Sequence, residues 1–291
     1  MSQQQAQATP RGTGTHAAPS QATPPRRRRI RLGRALPWVS TAITLVLMII
    51  IWKLVIAVFD VSPFVLPQPE DVIGGMGDLI NSDGFWTDVR TTLTETLVGF
   101  GIALVLGIVG GTVLGRVVWL EQALRPVIVA SQVVPKVALI PLFIIWFGFG
   151  ITSKIIIVAL LAFFPILLNV ILGVRSVDTG HRDVMRSLNA SRWQTFRRME
   201  YPSTLPYVLA GMEVGIVFAV VGAVVGEYLG GDQGLGYRIV TSLNNLEAET
   251  LFAVIVVLTL FGFLLYLAVV GLKRLLIPWH ESTVDNTRAS T

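Results

Sequence analysis

Residues 205–231 read LPYVLAGMEVGIVFAVVGAVVGEYLGG, and this run decides the fold. It carries only two charges, Glu213 and Glu227. A bilayer core takes about 20 apolar residues in helical form. Lipid offers no water to an unpaired backbone N–H or C=O, so the run must be a helix. It is continuous rather than alternating, which excludes a barrel strand. Five further runs behave alike: 35–59 with Lys53, 96–114, 126–150 with Lys136, 155–174 and 251–272. The expected fold is an all-α integral membrane protein with six transmembrane helices.

Composition agrees. Hydrophobic residues make up 53% of the 291 and charged residues 14%, about half the charge of a soluble domain. The mean hydropathy is +0.67. There is no cysteine, so disulfides and thiolate metal ligands are excluded. His16, His181 and His280 are too scattered to suggest a metal site, and none is expected.

The net charge is +5, and its distribution is more informative than its sum. With the N-terminus inside, 18 of 23 Lys and Arg fall on cytoplasmic segments. Only Arg90, Lys154 and Arg238 fall outside, where Asp60, Glu70, Asp78, Asp83 and Asp88 gather. This asymmetry predicts a multi-pass protein of the cell inner (plasma) membrane with both termini cytoplasmic. Residues 1–34 read as a disordered basic tail. Its arginine run stands directly before a span, so it is read as an anchor to anionic membrane lipid rather than to nucleic acid. Residues 35–59 follow as the first span and 60–93 as an outer segment with a short surface helix. That helix covers 70–79 and carries Val72, Met76, Leu79 and Ile80 on one side. Five spans fill 94–279, and 280–291 form a C-terminal tail.

Enzyme signatures are missing. No phosphate loop, dinucleotide fingerprint, H-E-x-x-H or G-x-S-x-G occurs. No catalytic residue is expected, and any ATP hydrolysis belongs to another chain.

Gly107, Gly111 and Gly115 share one face of the second span, and Gly211, Gly215, Gly222 and Gly226 recur in the fifth. Such faces let backbones approach closely, either within the chain or at a sliding or dimer surface. Pro135 should kink the third span, and Lys136 follows it. A mid-span lysine costs about 2.5–3.5 kcal/mol on insertion scales. It therefore pairs with Glu213 or Glu227, lines a polar route, or snorkels. Glu213 and Glu227 lie nearly on one helix face, about 21 Å apart along the axis. They read as a pathway stripe or as a buried structural set.

The longest cytoplasmic loop, 175–204, is unusual between packed spans. Asp178 or Thr179 can cap a short helix. Asn189, Ala190 and Ser191 break it, and Trp193, Phe196 and Met199 give a second helix an apolar face. Tyr201 and Pro202 should stop that helix before the fifth span. The segment is either an amphipathic element on the headgroups or an elbow projecting Ser187, Leu188, Asn189 and Ala190 into a partner.

This loop resembles the EAA loop of inner-membrane permeases of ABC importers, the binding-protein-dependent transport family. Asp183, Val184 and Met185 take the E-A-A place, Asn189 the glycine place, and Met199, Glu200, Tyr201 and Pro202 the I-x-L-P place. Asn is the next best residue for a left-handed turn. The similarity extends from about Phe64 to Trp279. It is nearest the group serving nitrate, aliphatic sulfonates, taurine and pyrimidine precursors of thiamin, and VPKVALIPLF, MRSLNASRW and GAVVGEYLG look closest to the pyrimidine-precursor branch.

The resemblance implies a coupling-helix loop between helices 4 and 5. It implies that Asp183, Arg186, Ser187, Leu188, Asn189, Ala190, Arg192 and Trp193 meet an ABC ATPase. It further implies a second permease copy as a homodimer, an extracytoplasmic substrate-binding protein, and ATP with Mg on the ATPase, with no cofactor here. The expected cargo is a small polar or anionic solute, with Lys136, Glu213 and Glu227 as translocation-pathway candidates. The competing reading is a secondary transporter driven by an ion gradient. It is disfavoured because no pair of broken helices recurs in two halves.

Overall fold

One helix, α6 (Ile151–Arg175), organises the bundle in the computed structural model, which describes residues 36–278. The tails expected at 1–34 and 280–291 lie outside the described residues. Residues up to Ile43 separate by their contacts from Thr44–Thr291, and the packing below is that of the second unit.

The described residues are helical apart from short connections. In order come α1 (Leu36–Phe59), α2 (Pro69–Asn81), α3 (Phe85–Arg116), α4 (Val118–Val133) and α5 (Ile140–Phe147), preceded by a 3-10 turn. After α6 come α7 (Thr179–Ser187), α8 (Arg192–Thr195), α9 (Tyr201–Gly230), α10 (Leu235–Asn244) and α11 (Ala248–Leu276). No strand occurs among the described residues.

Among the described residues, five helical stretches are long and apolar enough to span: Ser40–Phe59, Phe85–Arg116, Ile151–Arg175, Arg192–Gly230 and Ala248–Leu276. The sixth expected span is not one rod. Val118–Val133 and Lys136–Phe147 meet at 84°. Val134 is extended, as a residue before proline prefers, and Pro135 has no N–H to continue the helix. The outward faces are apolar: Leu97, Val105, Leu106 and Val109 of α3 are all exposed. Lys53, the one charge in the spanning part of α1, reaches Glu70 on α2 and holds that carboxyl below the usual carboxylate range. The short helix foreseen near 70–79 is α2, and Val72 and Leu79 are buried as it packs on α11.

Both glycine faces turn inward onto α6. A Cβ on Gly111 would lie 2.6 Å from Val170 Cβ and 2.9 Å from the Leu167 carbonyl. Gly107 and Gly115 meet Ile166 and Val174 in the same way, and Gly211 and Gly222 of α9 meet Ile166 and Val158. The small faces therefore serve packing within the chain. Beta-branched ridges of α6 enter a glycine groove on each side, and the core of Ala103, Ala162, Ile166, Val170, Ile216 and Ala219 closes around them.

Gly111→Ala should lower stability by about 1–3 kcal/mol, because the new methyl overpacks α6. Gly101→Ala, on the same helix with nothing within 4 Å of its Cβ position, should be neutral. Thermal unfolding of the two variants in detergent checks the contrast.

Candidate functional site

The loop after α6 is built as an elbow. Asp178 caps α7, its side chain accepting from Gly180 N at 2.7 Å. Asn189 then turns the chain with φ +52°, a conformation Asn tolerates. Ser191 and Gln194 form a reciprocal capping box that starts α8. Leu188 is 71% and Trp193 65% exposed. All eight residues expected at a partner surface, Asp183, Arg186, Ser187, Leu188, Asn189, Ala190, Arg192 and Trp193, lie on this one elbow. Arg186 pairs with Asp183 at 3.5 Å.

Tyr201 and Pro202 do not stop the second helix, contrary to the sequence expectation. Residues Phe196–Glu200 form a π turn in which Tyr201 N–H donates to Phe196 O, and α9 continues from it. The proline sits in the first turn of α9, where its missing N–H is tolerated. Arg192–Gly230 is thus one helical stretch of 39 residues, about 58 Å at 1.5 Å per residue.

Glu200 clamps the elbow. It accepts from Arg116 Nη2 at 2.7 Å, at the end of α3, and faces Arg182 Nη2 of α7 at 3.6 Å. The Arg116 guanidinium also lies 5.6 Å from the Phe196 ring centroid. Nearby, Glu121 takes Arg125 at 3.0 Å and Arg175 at 3.2 Å.

At the opposite end of α9 lies a buried polar cluster. Asp88, Thr92 and Glu95 follow one face of α3, and Thr92 and Glu95 have no exposed surface. Thr92 Oγ1 donates to Glu227 Oε1 at 2.7 Å and accepts from Leu235 N at 3.0 Å. Glu227 Oε2 accepts from Gly236 N at 2.7 Å. Gly234 has φ +108°, and a Cβ there would overlap the Glu227 carboxylate. Asp88 accepts from Gly234 N at 2.8 Å and from the Arg238 guanidinium. Lys154 Nζ, 3% exposed, stands 3.3 Å from Glu95 Oε1 and 3.9 Å from Asp232 Oδ1, and its charge acts on Glu227 as well. Neither Glu95 oxygen makes a well-aligned hydrogen bond, and the Lys154 ammonium is the opposite charge beside it.

The three pathway candidates are dispersed. Glu227 belongs to this cluster. Glu213 pairs with Lys273 of α11 at 3.0 Å. Lys136 begins the turn between α4 and α5, half-buried, with its ammonium 5.0 Å from the Phe164 ring centroid. Neither glutamate pairs with it.

Glu95 and Lys154 were missed by the sequence reading. Glu95 fell one residue outside the expected second span, and Lys154 fell in an outer segment. The spacing Asp88, Thr92, Glu95, Gly99 is the available signal, because it runs a polar stripe into the glycine face of one helix.

The family model described as the inner membrane component of binding-protein-dependent transport systems matches residues 103–280. The riboflavin transport system permease protein of Chloroflexus aurantiacus is 36% identical over 246 residues, 84% of this chain and 92% of that one. The formylaminopyrimidine transport permease protein of Halalkalibacterium halodurans is 34% identical, over 81% of this chain and 93% of that one. The taurine transport system permease protein of Escherichia coli is 31% identical, over 81% and 88%.

Lys154→Met should destabilise the protein by about 3–5 kcal/mol, since it leaves Glu95 and Glu227 buried without a counter-charge. Adding Glu95→Leu should recover a large part of that loss, a non-additivity measured by a double-mutant cycle of thermal unfolding in detergent.

Proposed function

Since the chain belongs to the family of inner membrane components of binding-protein-dependent transport systems, we propose that it forms the solute route of an ATP-driven importer. In this reading the ATPase is a separate chain that docks on the elbow, and a binding protein delivers solute from the other side. A second copy completes the route. The observation that carries the proposal is the unbroken helix from Arg192 to Gly230. A displacement of Trp193 by a docked motor passes along α8 and the π turn into α9 without an intervening loop.

The orientation proposed puts the elbow and both termini in the cytoplasm. Arg116, Arg125, Arg175, Arg182, Arg186, Arg192, Arg197 and Arg198 gather at the elbow end, as cytoplasmic segments do. The exposed Leu188 and Trp193 give the ATPase an apolar knob set among cations. ATP and Mg would be held by that partner. This chain supplies the lever and the route.

The proposed cargo is a small polar solute. Two of the most similar relatives are named for riboflavin and formylaminopyrimidine, and a slightly more distant one for taurine. That ordering supports reading the cargo as a nitrogen heterocycle ahead of a sulfonate. Lys136 remains the pathway candidate with an unneutralised charge, at the bend between α4 and α5. Glu213 and Glu227 would act on the route through the helices they tie.

Leu188→Asp should abolish ATP-driven uptake into proteoliposomes and pull-down of the ATPase while leaving membrane insertion intact, because a carboxylate cannot be buried in the docking cleft. Retained uptake with this variant would contradict the proposed joint.

A further inference from the structure

Behind the elbow, α3, α6, α9 and the end of α11 enclose a cavity of about 390 Å³. Its wall is apolar, with Ile108, Val170, Val208, Leu209, Met212 and Leu276. The volume falls in the range of small-molecule sites, about 300–1,000 Å³. Charge appears at one end only, where Arg116 and Arg182 stand with Glu200. Two guanidinium groups thus share one carboxylate. Arg182 Nε is buried with no hydrogen-bond partner, so part of its donor fork is unused.

The cavity adjoins a wider polar chamber of about 880 Å³, and Arg116, Arg182 and Glu200 border both. Arg175, Arg186 and Arg192 line the chamber too. Arg175 is answered by Glu121 and Arg186 by Asp183. Even so, the chamber keeps an excess of positive charge. A guanidinium fork matches the geometry of a phosphate. Basic pockets between transmembrane helices bind lipid headgroups in this manner.

We propose that this cleft holds one anionic phospholipid, its phosphate on Arg116 and Arg182 and one acyl chain in the apolar cavity. The two compartments make the case together. A soluble anion would use only the chamber, and a neutral apolar molecule only the cavity. An anionic amphiphile satisfies both and puts an acceptor beside Arg182 Nε. The site lies at the ends of four spans, the level at which headgroups meet hydrocarbon, so the bilayer itself supplies the ligand. The occupant would bridge α3, α7 and α9 at the root of the elbow and stiffen the joint. The inference uses the membrane-spanning bundle and not ATP coupling, so lipid retention and uptake fail independently.

The test is native mass spectrometry of the purified full-length chain in detergent. It is titrated with phosphatidylglycerol, with phosphatidylcholine of the same acyl chains, and with glycerol phosphate. The expected result is one phosphatidylglycerol retained per chain, about tenfold tighter than phosphatidylcholine. The double variant Arg116→Gln, Arg182→Gln should lose that preference. Val208→Phe, which fills the cavity and keeps both arginines, should weaken phosphatidylglycerol comparably. Unfolding temperatures of the lipid-free variants report whether each is folded. Equal retention of the two lipids, or retention unchanged in both folded variants, identifies ordinary annular lipid and overturns the proposal. Glycerol phosphate displacing the lipid at equal concentration identifies an anion-only site and overturns it as well.

Discussion

Lys154 places one ammonium 3.3 Å from Glu95 and within the field of Glu227, at a point where all three side chains are buried. Burying charges costs more than a pair returns unless each is matched, so such a cluster is a poor adhesive and a strict alignment device. Sliding α3 or α9 along α6 would strip a partner from a buried charge. The α3 groove has a register of its own, since Gly99, Gly107 and Gly111 face Val158, Ile166 and Val170 while Ala103 and Ala162 interrupt the pattern on both helices. Groove packing sets how close the helices lie, and the charges reinforce where along their axes they stop.

With that end fixed, the geometry of α9 acquires a mechanical meaning. Its far end is bonded to Thr92 and Gly236 through Glu227. Its near end runs through the π turn into α8 and the exposed Trp193. The elbow is itself held by Glu200 between Arg116 and Arg182. Force applied at the tip therefore reaches α3 by two routes, one directly through Arg116 and one along the full length of α9. A π turn within a helix frequently marks a functional position, and here it absorbs Pro202 without ending the rod.

The apolar runs made the helices legible, because lipid forces backbone self-satisfaction whatever the tertiary packing. The elbow was legible for a local reason: its caps and its left-handed Asn189 are written in consecutive residues. The break of the third span was only half legible. Pro135 announced a kink, but an 84° turn depends on the extended Val134 beside it and on where α5 packs. The glycine faces announced close approach without naming the helix approached, which proved to be α6 on both sides. The polar cluster was illegible because its members are 59, 73 and 132 residues apart in pairs, and hydropathy windows had assigned two of them to loops. No local pattern reports a partner at that separation. Lys136 shows the same limit in reverse, since neither glutamate offered as its partner reaches it.

The account stands on α8, the π turn and α9 moving as one body. The chain has no cysteine, so spin labels at Trp193→Cys and Tyr228→Cys sit only where they are placed on it, and labelled chain diluted into an excess of unlabelled chain reports the distance within one copy. Double electron–electron resonance on the assembled transporter, with and without ATP, measures it directly. The account predicts the same narrow distance in both nucleotide states. A shifted or broadened distance with ATP would mean that the helix flexes at Phe196–Glu200, and the elbow would then not drive α9.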